Sequence, residues 1–213
     1  MSRLRDYRAW HHDYDKPESP LSQRLKTVQQ RLSELLTAAP AGPIELISMC
    51  AGQGRDVIGV LPHHPRGADV HAVLVELDQE NVEYARVAAA SAGLKHVEIL
   101  ESDASMSDVY APYVPAGIVL ACGILGNVAD ADVERTSRNV SMLCAPGAAL
   151  IWTRARQEPD MNPRIRQWLE ASGFEVLSFD ALESAKLFGV GTARLTRPPN
   201  QFEPGFRFFT FIR

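Results

Sequence analysis

Two groups of residues carry the chemistry of this chain. The first is Cys50-Ala-Gly-Gln-Gly54, which follows the apolar run Ile44–Met49 and leads into Arg55-Asp56. A buried strand, a glycine turn and an amphipathic continuation form a loop whose backbone a ligand can approach closely. The second is Glu76, twenty-two residues beyond Gly54, at the end of another apolar run, Val70–Val75. A carboxylate at that point can accept both hydroxyl hydrogens of a ribose, so loop and acid together point to a nucleoside-containing cofactor.

Other candidates lie nearby in the predicted order of elements. Cys122-Gly-Ile-Leu-Gly-Asn127 follows the fourth apolar run. Asn127 can hydrogen-bond a substrate or cap the helix that starts near Asp130, and Cys122 suits a small buried hydrophobe better than a nucleophile. Arg154 and Arg156 follow the fifth run. They suit forked binding of a carboxylate or phosphate, or a surface pair with Glu158 or Asp160. A second cationic cluster, Thr192–Arg197, is predicted to lie between the last two strands, and both clusters at the site would make the substrate anionic. On the N-terminal arm, His11, His12 and Tyr14 are candidates for catalysis, histidine because it titrates near neutrality. Arms of this kind exclude water when they close over a site.

These residues need a frame that brings strand ends together. Ser19-Pro20 followed by Leu21, Leu25, Val28, Leu32, Leu35 and Leu36 predicts a helix that packs on the core. Strands are predicted at 44–49, 70–76, 96–100, 117–122 and 148–153, and helices near 54–61, 79–92, 130–143 and 161–172. A sixth strand is predicted at 173–179 and a seventh at 206–212. Strand–helix alternation of this length predicts a parallel α/β sheet covered on both faces, with ligands outside the carboxyl ends of the strands. The arm and first helix span 1–42, and the α/β domain spans 43–213.

Composition narrows the function. With 213 residues, 46% hydrophobic and 23% charged, the chain has the make-up of a globular domain. A net charge of −4, with no run of Lys and Arg, makes nucleic acid an unexpected substrate. No apolar signal core or membrane-length run is present, which predicts a cytoplasmic protein with no membrane partner. Three scattered cysteines predict free thiols, and no spacing suggests a metal.

From Ile44 to Thr153 the chain resembles class I S-adenosylmethionine-dependent methyltransferases. The family's glycine-rich motif aligns with Ser48–Gly54, and its ribose-binding acid falls on Glu76. Its adenine-flanking Asp-Ala pair falls on Asp103-Ala104, and its Pro-Gly and apolar-strand signature on Ala145–Trp152. The resemblance implies S-adenosylmethionine as cofactor, held by Ser48, Cys50, Ala51, Gly52, Gly54, Glu76, Leu77, Asp103, Ala104, Cys122 and Gly123. It implies a Rossmann-like, doubly wound sheet of seven strands in the order 3-2-1-4-5-7-6, strand 7 antiparallel, with an N-terminal helical lid.

The implied reaction is methyl transfer to a small molecule met by Asn127, Arg154 and Arg156, anionic if the arginines reach it, in a monomer or homodimer. Two departures stand out: Ser48 replaces a frequent acid, and Cys50 a frequent glycine. No Asp-Pro-Pro-Tyr or Asn-Pro-Pro-Tyr box is present, which argues against base amines and glutamine amides as acceptors. An NAD-dependent reductase is the enzymatic alternative; it would want a glycine where Val57 stands and a Tyr-x-x-x-Lys pair. A binding module that has lost transfer is the other.

Overall fold

The computed structural model describes residues 12–181 and 188–212. A 3₁₀ turn, His12–Asp15, leads into helix α1 (Pro20–Ala38). Ser19 caps that helix, its hydroxyl accepting from the Ser22 amide at 3.0 Å, and Pro20 occupies the first turn, where no amide is missed. Leu21, Val28, Leu32, Leu35 and Leu36 form its buried stripe.

Seven strands follow: β1 (Ile44–Met49), β2 (Val70–Glu76), β3 (Val97–Glu101), β4 (Ala116–Ala121), β5 (Cys144–Ala155), β6 (Phe174–Ala181) and β7 (Phe188–Leu195). They form one sheet in the order β3-β2-β1-β4-β5-β7-β6. Strands β1 to β5 run parallel to one another, and β7 runs antiparallel to β5 and β6. The central strands are buried almost throughout because helices cover both faces. Helix α1, the short α2 (Arg55–Ile58) and α3 (Gln79–Ser91) pack on one face. Helices α4 (Asp130–Asn139) and α5 (Asn162–Ala171) pack on the other. No described helix is long and apolar enough to cross a membrane.

The structure moves the seventh strand. It is Phe188–Leu195, whereas the run Phe206–Ile212 makes only isolated bridges, Met106 to Arg207 and Val128 to Phe211. Gly189 and Gly191 explain why β7 reads weakly from composition. A Cβ at Gly189 would lie 2.3 Å from the Phe179 ring, and one at Gly191 would lie 2.1 Å from Trp152. The glycines make room for cross-strand rings instead of supplying side chains of their own. The Thr192–Arg197 cluster is therefore not an inter-strand loop. Its Arg194 donates to the Gly147 carbonyl at 3.3 Å, near the amino end of β5 and away from the carboxyl edge.

The tail packs beside the connection from β3 to β4. Between β3 and β4 the chain makes only the 3₁₀ turn Ser107–Tyr110, and Phe206, Phe208 and Phe209 pack into the same apolar cluster as Tyr110. Backbone bonds fasten the tail there, Ser107 to Phe206 at 2.9 Å and Phe208 to Ser105 at 2.8 Å. Helix α2 is shorter than predicted: Gly59 and then Pro62 stop a helix expected to reach residue 61.

Candidate active site

The carboxyl ends of the strands open into a cavity of about 550 Å³. Its floor is the loop after β1. Cys50, Gly52 and Gly54 all lie in the left-handed region, with φ of 51°, 56° and 67°. Three such residues in five turn the chain sharply, and at Cys50 the backbone adopts a conformation that an L side chain resists. A Cβ at Gly54 would lie 2.7 Å from Leu74 and 2.8 Å from Ile58, so this glycine allows α2 to sit tightly on β2.

Glu76 ties loop and strand together. Its Oε2 accepts from the Gly52 amide at 2.7 Å, and its Oε1 accepts from Leu77 and Asp78 amides at 2.9 Å each. Asp78 caps α3 through bonds from the Glu80 and Asn81 amides. Leu77 is 66% exposed although large and apolar, and it lines the cavity. A lone exposed leucine means little, but one at a cavity mouth is placed to meet a flat ligand.

Asp103 and Ala104 line the same wall. Burial pushes the Asp103 carboxyl up, but hydrogen bonds from Ser105 and the nearby Arg207 guanidinium outweigh it and hold it below the ordinary aspartate value. Arg207 Nη1 lies 3.3 Å from Asp103 and 2.7 Å from the Ser105 hydroxyl. The buried Tyr110 hydroxyl donates to the Ala104 carbonyl at 2.7 Å and fixes the turn.

After β4, the Gly123 amide donates to the Thr153 hydroxyl at 2.9 Å. Asn127 does not cap α4, whose N-cap is Ala129 without a side-chain bond; its amide donates to the Gly123 carbonyl at 2.6 Å and lines the cavity. Cys50 and Cys122 line the cavity too, and burial pushes both thiols well up, so neither is a ready nucleophile.

The structure does not bring every candidate to the cavity. Ser48 is buried within the sheet, and Gly54 underpins the loop without facing the opening. Arg154 donates to the Leu125 carbonyl and lies 4.0 Å from Asp130, while Arg156 lies 3.9 Å from Asp160. Neither arginine lines the cavity. His11 and the side chain of His12 lie outside the described residues, whereas Tyr14 reaches the cavity wall. Among the described residues no group of three or more His, Cys, Asp or Glu could hold a metal.

Sequence reasoning passed over Arg24, Arg55, Asp56 and Phe211, all of which line the cavity. Arg24 left a signal: it occupies the apolar face of α1, three residues after Leu21 and four before Val28. Its Nη2 donates to the Tyr14 hydroxyl at 3.0 Å. Arg55 holds the arm from below, its guanidinium 5.2 Å from the Tyr14 ring and 5.2 Å from the Tyr84 ring, with Asp15 at 3.2 Å. Burial pushes the Tyr14 hydroxyl above its ordinary pKa.

No family model and no curated protein sequence matches the chain. Solved structures do. An O-methyltransferase family protein from Burkholderia thailandensis has a TM-score of 0.67 at 16% identity, over 92% of this chain and 62% of that one. The 1,6-didemethyltoxoflavin-N1-methyltransferase of the same organism, solved with 1,6-didemethyltoxoflavin and S-adenosylhomocysteine bound, has a TM-score of 0.61 at 16% identity, over 92% of both chains. Magnesium protoporphyrin IX methyltransferase from Synechocystis PCC 6803, solved with S-adenosylmethionine, has a TM-score of 0.62 at 14% identity, over 80% of this chain and 79% of that one. Strand order, the antiparallel seventh strand and these likenesses agree: the chain has the class I methyltransferase fold.

Proposed function

We propose that this protein is an S-adenosylmethionine-dependent methyltransferase that acts on a small molecule. The observation that carries the reading is the convergence of the left-handed Cys50–Gly54 loop, Glu76 and Asp103 on one cavity at the carboxyl edge of the sheet. A nucleoside fits this donor set. The remaining acceptor capacity of the Glu76 carboxylate suits ribose hydroxyls, and Asp103 beside Leu77 suits an exocyclic amine on a flat ring. Val57 is wholly buried where a dinucleotide fold would place its third glycine, which argues against a nicotinamide cofactor.

When bound, the cofactor supplies a methyl carbon made electrophilic by a sulfonium. The protein has two tasks: to align an acceptor with that carbon and to keep water away. Gly52 and Glu76 hold one side, and Tyr14, Leu25, Val28 and Phe211 close the other with apolar and aromatic surface. Positioning and dehydration supply the rate without an assigned base. Enclosure by arm, helix and tail, together with a net charge of −4, favours a small acceptor over a nucleic acid.

Calorimetry with S-adenosylmethionine, S-adenosylhomocysteine and NADH tests the cofactor. Mass spectrometry for a methyl group passed from labelled cofactor into a small-molecule extract tests the acceptor class. Binding of NADH alone would move the protein to the reductases, and binding of none would leave a fold that has lost transfer.

A further inference from the structure

The cavity is chemically divided. Toward β2 and β3 it offers Glu76, Asp103 and the apolar Leu77; toward α1 and the arm it offers Arg24, Asp56 and Tyr14. Arg24 and Asp56 are only 7% and 9% exposed, and a guanidinium and a carboxyl are not held that far from water without partners. Asp56 Oδ1 accepts from the Val57 amide at 2.9 Å. Its own amide also donates to the carboxyl, and the carboxyl lines the cavity. Arg24 is braced by the Tyr14 hydroxyl and by the Phe188 ring, 5.2 Å from its guanidinium carbon.

Ser48, by contrast, is 1% exposed and does not line the cavity. It offers the cavity no hydrogen-bonding group at this end. The molecule proposed for this cavity ends, opposite its nucleoside, in an α-ammonium and an α-carboxylate. We infer that Arg24 and Asp56 form a displaced clasp for that zwitterion, Asp56 accepting from the ammonium and Arg24 donating to the carboxylate. The inference rests on the cofactor reading above. It assigns to helix α1 and the first turn of α2 a grip on the cofactor's amino-acid end. An acceptor that is itself an α-amino acid would present the same chemistry, so the test separates the two sources.

The probes are S-adenosylhomocysteine and 5′-methylthioadenosine, which share the nucleoside and thioether but differ in the amino-acid end. For the wild type, Arg24→Gln and Asp56→Asn, dissociation constants for both are measured by calorimetry. A clasp on the cofactor predicts that each substitution weakens S-adenosylhomocysteine about 10- to 100-fold and leaves 5′-methylthioadenosine unchanged, as expected for loss of a charge-assisted bond. Equal losses for both probes, or unchanged binding of S-adenosylhomocysteine, overturn the clasp; the latter points to an amino-acid acceptor. Failure of the wild type to bind either probe overturns the cofactor reading with it.

A second measurement needs no substitution. Arg24 faces Asp56 from α1, Tyr14 from the arm and Cys122 from beyond β4, and burial raises both Tyr14 and Cys122 away from neutrality. As pH falls and Asp56 takes up a proton, S-adenosylhomocysteine loses affinity relative to 5′-methylthioadenosine. Parallel pH profiles for the two probes overturn the proposal.

Discussion

The Gly52 amide donates to Glu76 Oε2 across 2.7 Å, which joins the loop after β1 to the end of β2. Because Oε1 takes two further amides, the carboxylate organises the loop as well as facing the cavity. Glu76→Ala is expected to weaken S-adenosylhomocysteine by about 1–3 kcal/mol and to lower stability by a similar amount, since amides are left unpaired. Calorimetry and denaturant melts measure both. A mutant that folds and binds normally would remove Glu76 from the site.

Cys50 carries a side chain at a φ of 51°, a position that favours glycine. Relief of that strain, worth about 1–2 kcal/mol, opposes the extra flexibility that glycine gives the unfolded chain, about 0.5–1 kcal/mol. Cys50→Gly should therefore hold or slightly raise the melting temperature and preserve cofactor binding. Cys50→Val should lose stability, because a β-branched residue tolerates this backbone least. The reverse order in thermal melts would contradict the strained loop.

Phe208 and Phe211 lie on the same tail but in different surroundings, the first fully buried and the second 44% exposed at the cavity. Phe208→Ala should cost about 3–5 kcal/mol of stability. Phe211→Ala should change stability by less than about 0.5 kcal/mol yet weaken ligand binding. Equal melting temperatures for the two mutants would mean that the tail does not pack as described.

Arg55 touches the arm through the Tyr14 ring and Asp15. One cation–π contact and one exposed ion pair are together worth about 1–2 kcal/mol. Arg55→Ala should expose residues 12–19 to faster hydrogen exchange while the sheet keeps its protection. Unchanged exchange in the arm would show that other contacts hold it.

Burial raises the Asp56 carboxyl above its ordinary pKa, and hydrogen bonds from the Val57 and Asp56 amides together with the Arg24 charge only partly offset this. A raised carboxyl means that the folded state holds its proton to higher pH than the unfolded chain, so Asp56 subtracts stability as pH rises through its folded value. Asp56→Asn should thus raise the melting temperature at pH 7, with the gain fading near pH 4, while it weakens the cofactor. Thermal melts across that range check the sign. A gain of stability at low pH instead would show that Asp56 is ionised and well paired in the free protein.

Local pattern determined much of this protein from sequence alone. The apolar run Ile44–Met49, the glycines after it and the acid ending Val70–Glu76 lie close together in the chain, so strand, loop and cavity-lining carboxylate were legible in order. The Leu21–Leu36 stripe and the Ser19 cap likewise declared α1, and the resemblance implied the strand order that the structure has. Tertiary structure decided the rest. Phe206–Ile212 alternates like a strand, yet Phe206, Phe208 and Phe209 pack into the core beside the 3₁₀ turn between β3 and β4. Phe188–Leu195 is the strand, hidden by glycines that exist to admit Phe179 and Trp152. Arg154 and Arg156 stand after the right strand but turn to a carbonyl and to Asp160, while Arg24 reaches the cavity from helix α1, ahead of every strand of the sheet. Periodicity reports which face of an element is apolar; which neighbour that face meets depends on packing across the whole chain.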